Sequence, residues 1–441
     1  MTRPVSPLTR RRFLAGTAAA AATPLILTPS SLAATRRTVS KDDPGVIRVG
    51  LVGCGGRGTG AALQALSAED GTVVLVAMGD AFADRLDSSH TNLIKALGEE
   101  RAGRVQVDDE HRFVGFDAFQ RVMDSDIDVV LLATPPHFRP EHLRYAVEHD
   151  LHVFTEKPLA VDGPGVRHVH ETCEMATAKG LAMVSGFCWR SNVRHRAFYE
   201  RIHDGAVGDL RAVYSTYNAT PLGTNPRQDG WTDMQWQMRN WQHFDWLSGD
   251  HLVEQAVHSI DKQGWTFKDE PPLQCTAVGG RQARGDSPER GNIYDHFSVT
   301  YDYADGVKAF HMCRQMANCS NENSDYIYGE KGTAEINGWA NQHIITGPNA
   351  WRYEGPGNDM YQAEHDELFA SIRAGRPRDD GVWMLRSTML AIMGRMAAYT
   401  GQTITWDQAW NSTERLGPES YRWDGELSYA PVPVPGHTKF A

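Results

Sequence analysis

From residue 46 onward, short continuous apolar runs alternate with stretches of helical spacing. Val46-Ile47-Arg48-Val49-Gly50-Leu51-Val52 is rich in β-branched residues and runs into glycines, and residues 59–67 suit a helix. Further buried runs follow at 72–78, 113–116 (a shorter one), 127–133, 152–154 and 181–184. Helical spacing lies between them at 88–97, 117–123, 140–148 and 166–178. Strands apolar on both faces, alternating with helices, predict a parallel sheet covered on both sides.

Beyond about residue 190 the texture changes. Residues 210–217, 275–280, 297–303 and 307–313 read as strands, with Phe297, Val299, Tyr301 and Tyr303 alternating with their neighbours. Ala304-Asp305-Gly306 supplies a hairpin turn between the last two. This predicts a mostly antiparallel sheet with one polar face. Helical spacing returns at 363–374 and 383–399, with Gly375 and Gly401 placed to end the helices, and the proline-rich stretch 431–435 reads as extended.

Composition adds limits. The 441 residues carry 44 Lys+Arg against 55 Asp+Glu, a net charge of −11, which argues against nucleic acid or an anionic membrane as the main partner. Six cysteines without a C-x-x-C pair give neither a disulfide scaffold nor a structural zinc site, and no metal is expected. Before residue 46 the chain reads as a targeting segment and a linker. Arg10-Arg11-Arg12-Phe13-Leu14 opens an Ala-rich run broken by Gly16 and Pro24, and Ser31-Leu32-Ala33-Ala34 offers small residues for cleavage. This is a twin-arginine signal over 1–34, with a polar linker at 35–45. The run is too short for a transmembrane anchor, which needs ~20 apolar residues. Export to the periplasm or outside the cell is the expectation.

The candidate chemistry clusters at strand ends. Gly53-Cys54-Gly55-Gly56-Arg57-Gly58 is a G-x-G-x-x-G loop between a strand and a helix, the arrangement that brings a pyrophosphate onto a helix N-terminus. Asp80, ending the next strand, is placed to accept from the adenosine ribose, favouring NAD, although it could equally cap the following helix. Arg85 nearby leaves NADP open. Thr134-Pro135-Pro136-His137 follows the fourth strand, at the carboxyl end where ligands bind, though Pro140 also suits a first helical position. Glu156-Lys157-Pro158 follows the next strand and sets a lysine at the same edge.

The glycine loop, the T-P-P-H turn and the E-K-P triplet, in this order, resemble the glucose–fructose oxidoreductase/inositol dehydrogenase (Gfo/Idh/MocA) family. Gly332-Thr333-Ala334-Glu335-Ile336 and Tyr399-Thr400-Gly401-Gln402 are also similar to it. The resemblance implies an α/β Rossmann domain, here 46–188, plus an α+β domain, 189–441, with a large, mostly antiparallel open sheet. That sheet would wall the substrate site and pair copies of the chain into a homo-oligomer. The resemblance also implies cofactor contacts from Thr134, Pro135, His137, Glu156, Lys157, Pro158 and Arg190, with Lys157 beside the reacting hydroxyl. The family motif G-G-x-x-x-D-x-G-x-H-x-x-D matches at His258 and Asp261, with Glu254 in place of the earlier Asp and Ala256 in place of a Gly.

On one helix Glu254 and His258 would share a face and Asp261 would follow. A carboxylate raises a histidine pKa and burial lowers it, which could poise His258 near neutrality as a general base. A buried structural histidine is the alternative. Asp250, His251, Glu254 and His258 lack the H-E-x-x-H pattern of a metal site. Trp189, Trp241 and Asp261 are the candidate substrate contacts, although Trp231, Trp236, Trp241 and Trp246 also read as core aromatics. The expected activity is nicotinamide-dependent oxidoreduction of a sugar, cyclitol or glycoside hydroxyl. An exported enzyme has no free dinucleotide pool, so tightly held NAD(P) is expected. The alternatives are a glycosidase-type hydrolase or lyase working by transient oxidation, and a sugar-binding protein with a decayed catalytic pair.

Overall fold

Six strands form one all-parallel sheet: β1 (Val46–Val52), β2 (Thr72–Asp80), β3 (Arg112–Val114), β4 (Val129–Leu132), β5 (His152–Thr155) and β6 (Met183–Ser185). Their order is β3-β2-β1-β4-β5-β6, so the winding reverses between β1 and β4 and leaves a crevice at their carboxyl ends. The computed structural model describes residues 45–441 except 70, 286, 341 and 425; the expected signal, 1–34, and residues 35–44 of the linker lie outside the described residues.

The continuous apolar runs have a simple cause. Val129 and Leu131 enter one packed layer, Val130 and Leu132 the other, and all four are fully buried. The layer around Val129 also takes Leu368, Phe369 and Ile372 from the helix Met360–Arg373, a return of the distal chain to the first sheet that periodicity does not reveal. The helix expected at 88–97 starts earlier, at Ala83, and its run to Arg101 is kinked at Gly98, φ +65°.

The second sheet has nine strands: β7 (Leu210–Ala219), β8 (Gln274–Gly280), β9 (His296–Asp302), β10 (Lys308–Gln315), β11 (Ser324–Gly329), β12 (Thr333–Asn337), β13 (Gln342–Thr346), β14 (Trp351–Arg352) and β15 (Ile404–Thr405). The order is β14-β13-β12-β11-β7-β10-β9-β8-β15, antiparallel except where β10 runs parallel to β7. The four predicted strands are β7 to β10. The strands from β11 onward lie outside the expected ones; β12 and β13 do alternate, with Ala334, Ile336, His343 and Ile345 facing in, but over only 5 residues each. Asp305 and Gly306 turn the β9–β10 hairpin with φ of +57° and +76°. Helices Val257–Thr266 and Gly381–Thr400 cover the inner face, and Gly401 ends the latter at φ +71°. The outer face stays open, with Val278, Phe310 and Tyr328 exposed.

Candidate functional site

The glycine loop leaves β1 and enters the helix Gly56–Ser67 directly. Gly53 takes φ +96°, and a Cβ on Gly58 would stand 1.8 Å from the Gly53 carbonyl oxygen. Gly55 and Gly56 face open space in front of the helix N-terminus, and a Cβ on either would meet nothing within 4 Å. A bare backbone cradle at a positive helix end suits a dinucleotide diphosphate. Asp80 accepts from the Cys54 N–H at 2.6 Å and the Phe82 N–H at 2.9 Å, and burial raises its pKa. It braces the loop, and Phe82 rather than Asp80 is the N-cap of the next helix.

A cavity of about 440 Å³ lies in front of this loop, lined also by Asp80, Arg85, Thr134 and Pro135. The second domain contributes Asn225, Met238, Arg239, Trp241 and Gln242 to its wall. Trp241, expected at the substrate, thus lines the glycine-loop cavity. Arg239 forks onto Asp84 at 2.8 and 3.0 Å, and its guanidinium covers the rings of Phe82 and Trp231. The two domains are therefore clasped across this cavity.

At the carboxyl end of β5, Lys157 Nζ donates to the Glu254 carbonyl at 2.5 Å and pairs with its Oε1 at 3.3 Å. The carbonyl is available because the expected continuous helix is broken. Helix His251–Glu254 stops, the Ala256 N–H reaches back to His251 O, and the His258 N–H bonds Gln255 O. The Glu254 carboxylate therefore serves Lys157 and does not raise His258. Burial, with Lys157, Lys262 and Arg57 adding positive charge, holds the His258 imidazole well below its ordinary pKa, and its Nδ1 is buried without a partner. His258 is thus a neutral base across the physiological range, not one poised near neutrality. Glu156 is buried and accepts from Arg57 Nε at 2.5 Å.

Other expected contacts are directed elsewhere. Arg190 is buried between Trp265 and Trp383 and bonded to Asp261 and Asp269, so it and Asp261 satisfy each other. Trp189 is buried against His195. His137 Nε2 meets the Tyr421 hydroxyl at 2.8 Å, and burial lowers its pKa to about 4.

Two residues have roles that motif reading did not assign. Arg139, fully buried, donates to the Thr134 and Pro158 carbonyls and so ties the T-P-P-H turn to the E-K-P turn. A buried arginine at a helix start carries no sequence signal of that bridge. Asp250 stands at the motif's second glycine and keeps φ +76°, a region that favours glycine. It accepts from His251 N, Tyr294 N and the Tyr399 hydroxyl at 2.5, 2.8 and 2.5 Å, and burial raises its pKa to about 7.

Asp250 makes a testable contribution to pH dependence. Below about pH 4 the carboxyl is protonated folded or unfolded and shifts nothing. Between there and about pH 7 the unfolded chain ionises first, so stability falls as pH rises, by up to about 4 kcal/mol. Asp250→Asn tolerates positive φ but keeps one acceptor oxygen where Asp250 accepts on two, so it carries a pH-independent cost beside the pH-dependent gain. Its melting temperature relative to the parent should rise by several degrees between pH 4 and pH 8. A difference that does not change with pH would remove Asp250 from this role.

The family model described as "Oxidoreductase family, NAD-binding Rossmann fold" matches residues 47–187, and the "GFO/IDH/MocA C-terminal domain" model matches 195–335. Inositol 2-dehydrogenase 4 of Saccharopolyspora erythraea is 28% identical over 264 residues, 59% of this chain and 64% of the relative. The 2,7-anhydro-N-acetylneuraminate hydratase of Escherichia coli is 26% identical over 185 residues, 42% of this chain and 44% of the relative. The chain thus spans less than two thirds of these curated relatives. The crystal structure of aldose-aldose oxidoreductase from Caulobacter crescentus shares the fold, with TM-score 0.63 at 20% identity over 81% of this chain and 99% of that one.

Proposed function

The chain belongs to the Gfo/Idh/MocA oxidoreductase family, and from that premise we propose that it transfers hydride at a hydroxyl-bearing carbon of a sugar, cyclitol or glycoside, using a tightly retained nicotinamide dinucleotide. The observation that carries this is Lys157 held on Glu254 beside the neutral base His258. The loop Gly53 to Gly58, Asp80, Thr134 and Pro135 would hold the dinucleotide, with Asp80 favouring NAD over NADP. When bound, the nicotinamide supplies the hydride acceptor. Lys157 orients the substrate hydroxyl by hydrogen bonding to its oxygen, and His258 takes the proton. Glu254 holds the lysine in place.

The Arg239–Asp84 clasp supports slow cofactor release. The sequence Arg10-Arg11-Arg12-Phe13-Leu14 supports twin-arginine export to the periplasm or cell exterior, where a retained cofactor is needed. Among the described residues no helix is long and apolar enough to cross a membrane. The open outer sheet face supports self-association, which sedimentation would measure.

The test is to denature the purified chain and identify the released nucleotide by mass spectrometry. The absorbance of the bound nicotinamide is then followed while sugars and cyclitols are added. Near-stoichiometric nucleotide and a substrate-dependent absorbance change are expected. A chain that carries no dinucleotide and binds none would overturn the reading. Arg239→Ala should lose its nucleotide on gel filtration faster than the parent. The hydratase relative favours a second reading, transient oxidation with no net redox change. Product release with full recovery of the nicotinamide spectrum would select it.

A further inference from the structure

Four cations around the catalytic cluster are each paired with a carboxylate, while a fifth, Arg139, is fully buried and held on the Thr134 and Pro158 carbonyls. Those acting on His258 are Lys157, Lys262 and Arg57. Lys157 pairs with Glu254, Lys262 with Asp325 at 2.5 Å, and Arg57 with Glu156. Arg190, the remaining cation expected at this site, is held by Asp261 and Asp269. Among the described residues, the four paired cations leave no positive charge over for a carboxylate or phosphate of a ligand, and Arg139 is fully buried, away from a ligand's reach. Burying an uncompensated anion in such a place is strongly unfavourable.

What the second sheet does offer there is aromatic surface. Ser259, next to His258, donates to Asn323 Oδ1 at 3.0 Å, and the Asn323 carbonyl accepts from the Gly338 N–H at 2.8 Å. This fixes the tip of the β12–β13 hairpin beside the helix that carries His258. Trp339, at that tip, is 48% exposed although it is the bulkiest kind of apolar side chain. Its ring meets Tyr217 of β7 edge-on at 5.8 Å. Tyr217 is half-buried and lies near enough to Glu254 to feel its charge. An exposed tryptophan braced by a tyrosine gives a flat apolar face with a polar edge, the shape that receives the C–H face of a ring whose hydroxyls point sideways.

Resting on the catalytic reading above, we propose that Trp339 and Tyr217 form the substrate subsite and select an uncharged polyol ring over its carboxylated, phosphorylated or nucleotidyl counterparts. The occupant is a neutral pyranose, glycoside or cyclitol with one ring face on Trp339. Specificity then comes from two sources: stacking attracts the neutral ring, and paired cations leave an anion without a partner.

The test uses the purified full chain with its bound nucleotide. Tryptophan fluorescence and nicotinamide absorbance are followed with D-glucose, myo-inositol and methyl β-D-glucopyranoside, and with D-glucuronate, glucose 6-phosphate and UDP-glucose. The neutral compounds are expected to bind or turn over and the anionic ones to do neither. Trp339→Ala should raise KM or Kd for the neutral ligand about tenfold, with kcat and nucleotide content little changed, and Trp339→Phe should recover most of the loss. Tighter binding of any anionic member, no binding of any neutral member, or an unchanged KM in Trp339→Ala overturns the proposal. Loss of the nucleotide from the parent chain would instead overturn the catalytic reading, so the two failures are distinguishable.

Discussion

Lys157→Met should lower kcat by about 10³-fold while the chain stays folded and keeps its nucleotide. Methionine keeps the unbranched shape of lysine, one atom shorter, but has no N–H, so the substrate oxygen loses its donor and Glu254 its partner. The lysine touches Glu254 through both the carbonyl and the carboxylate, at 2.5 and 3.3 Å, and no contact of the glycine loop runs through it. Loss of the positive charge should also let the His258 pKa rise, because Lys157 is the first of the cations that depress it. The acid limb of the kcat/KM profile should therefore move to higher pH in the variant. In the parent no inflection is expected near pH 6.5, the ordinary histidine value. A kcat within tenfold of the parent, with an unmoved acid limb, would take Lys157 out of the chemistry.

Gly58→Val should abolish dinucleotide binding and lower the melting temperature by several degrees. Its Cβ would fall 1.8 Å from the Gly53 oxygen and 3.2 Å from the Ala133 Cβ, and the first of these neighbours is backbone that cannot rotate away. The loop must open, which breaks the approach of the helix to the strand. Gly55→Ala separates stability from binding. Nothing of the chain lies within 4 Å of its added methyl, so the fold should be untouched. The methyl would stand where the diphosphate must come, so nucleotide affinity should drop. Binding unchanged in Gly55→Ala would mean that the cradle is not the phosphate site. Both variants are read by thermal unfolding and by nucleotide released on denaturation.

Local pattern carried a large part of this protein. Glycines 53 to 58, the apolar strands beside them, Asp80 and Lys157 are placed by short-range rules: the loop is six residues long, and each strand is apolar because both its faces are covered. The hairpin at 304–306 and the helix end at Gly401 follow from turn chemistry in the same way. These features depend on neighbours a few positions apart, which is the range over which sequence periodicity has meaning.

Tertiary structure alone decided how those residues are used. Glu254 and His258 fit one helical face by spacing, but the wide turn after Glu254 sends its carbonyl and carboxylate to Lys157, 97 residues away. Arg190 reads as a cofactor ligand until Asp261 and Asp269 are folded against it, 71 and 79 residues on. Trp241, read at the substrate, closes the glycine-loop cavity instead, while Trp339 stands exposed beside Tyr217. Arg139 and Asp250 gained their roles only when the carbonyls and hydroxyls they meet were brought to them. The physical reason is the same throughout. A charge or hydrogen-bonding group takes the function its partner allows, and in a buried site that partner is chosen by packing between segments distant in the chain.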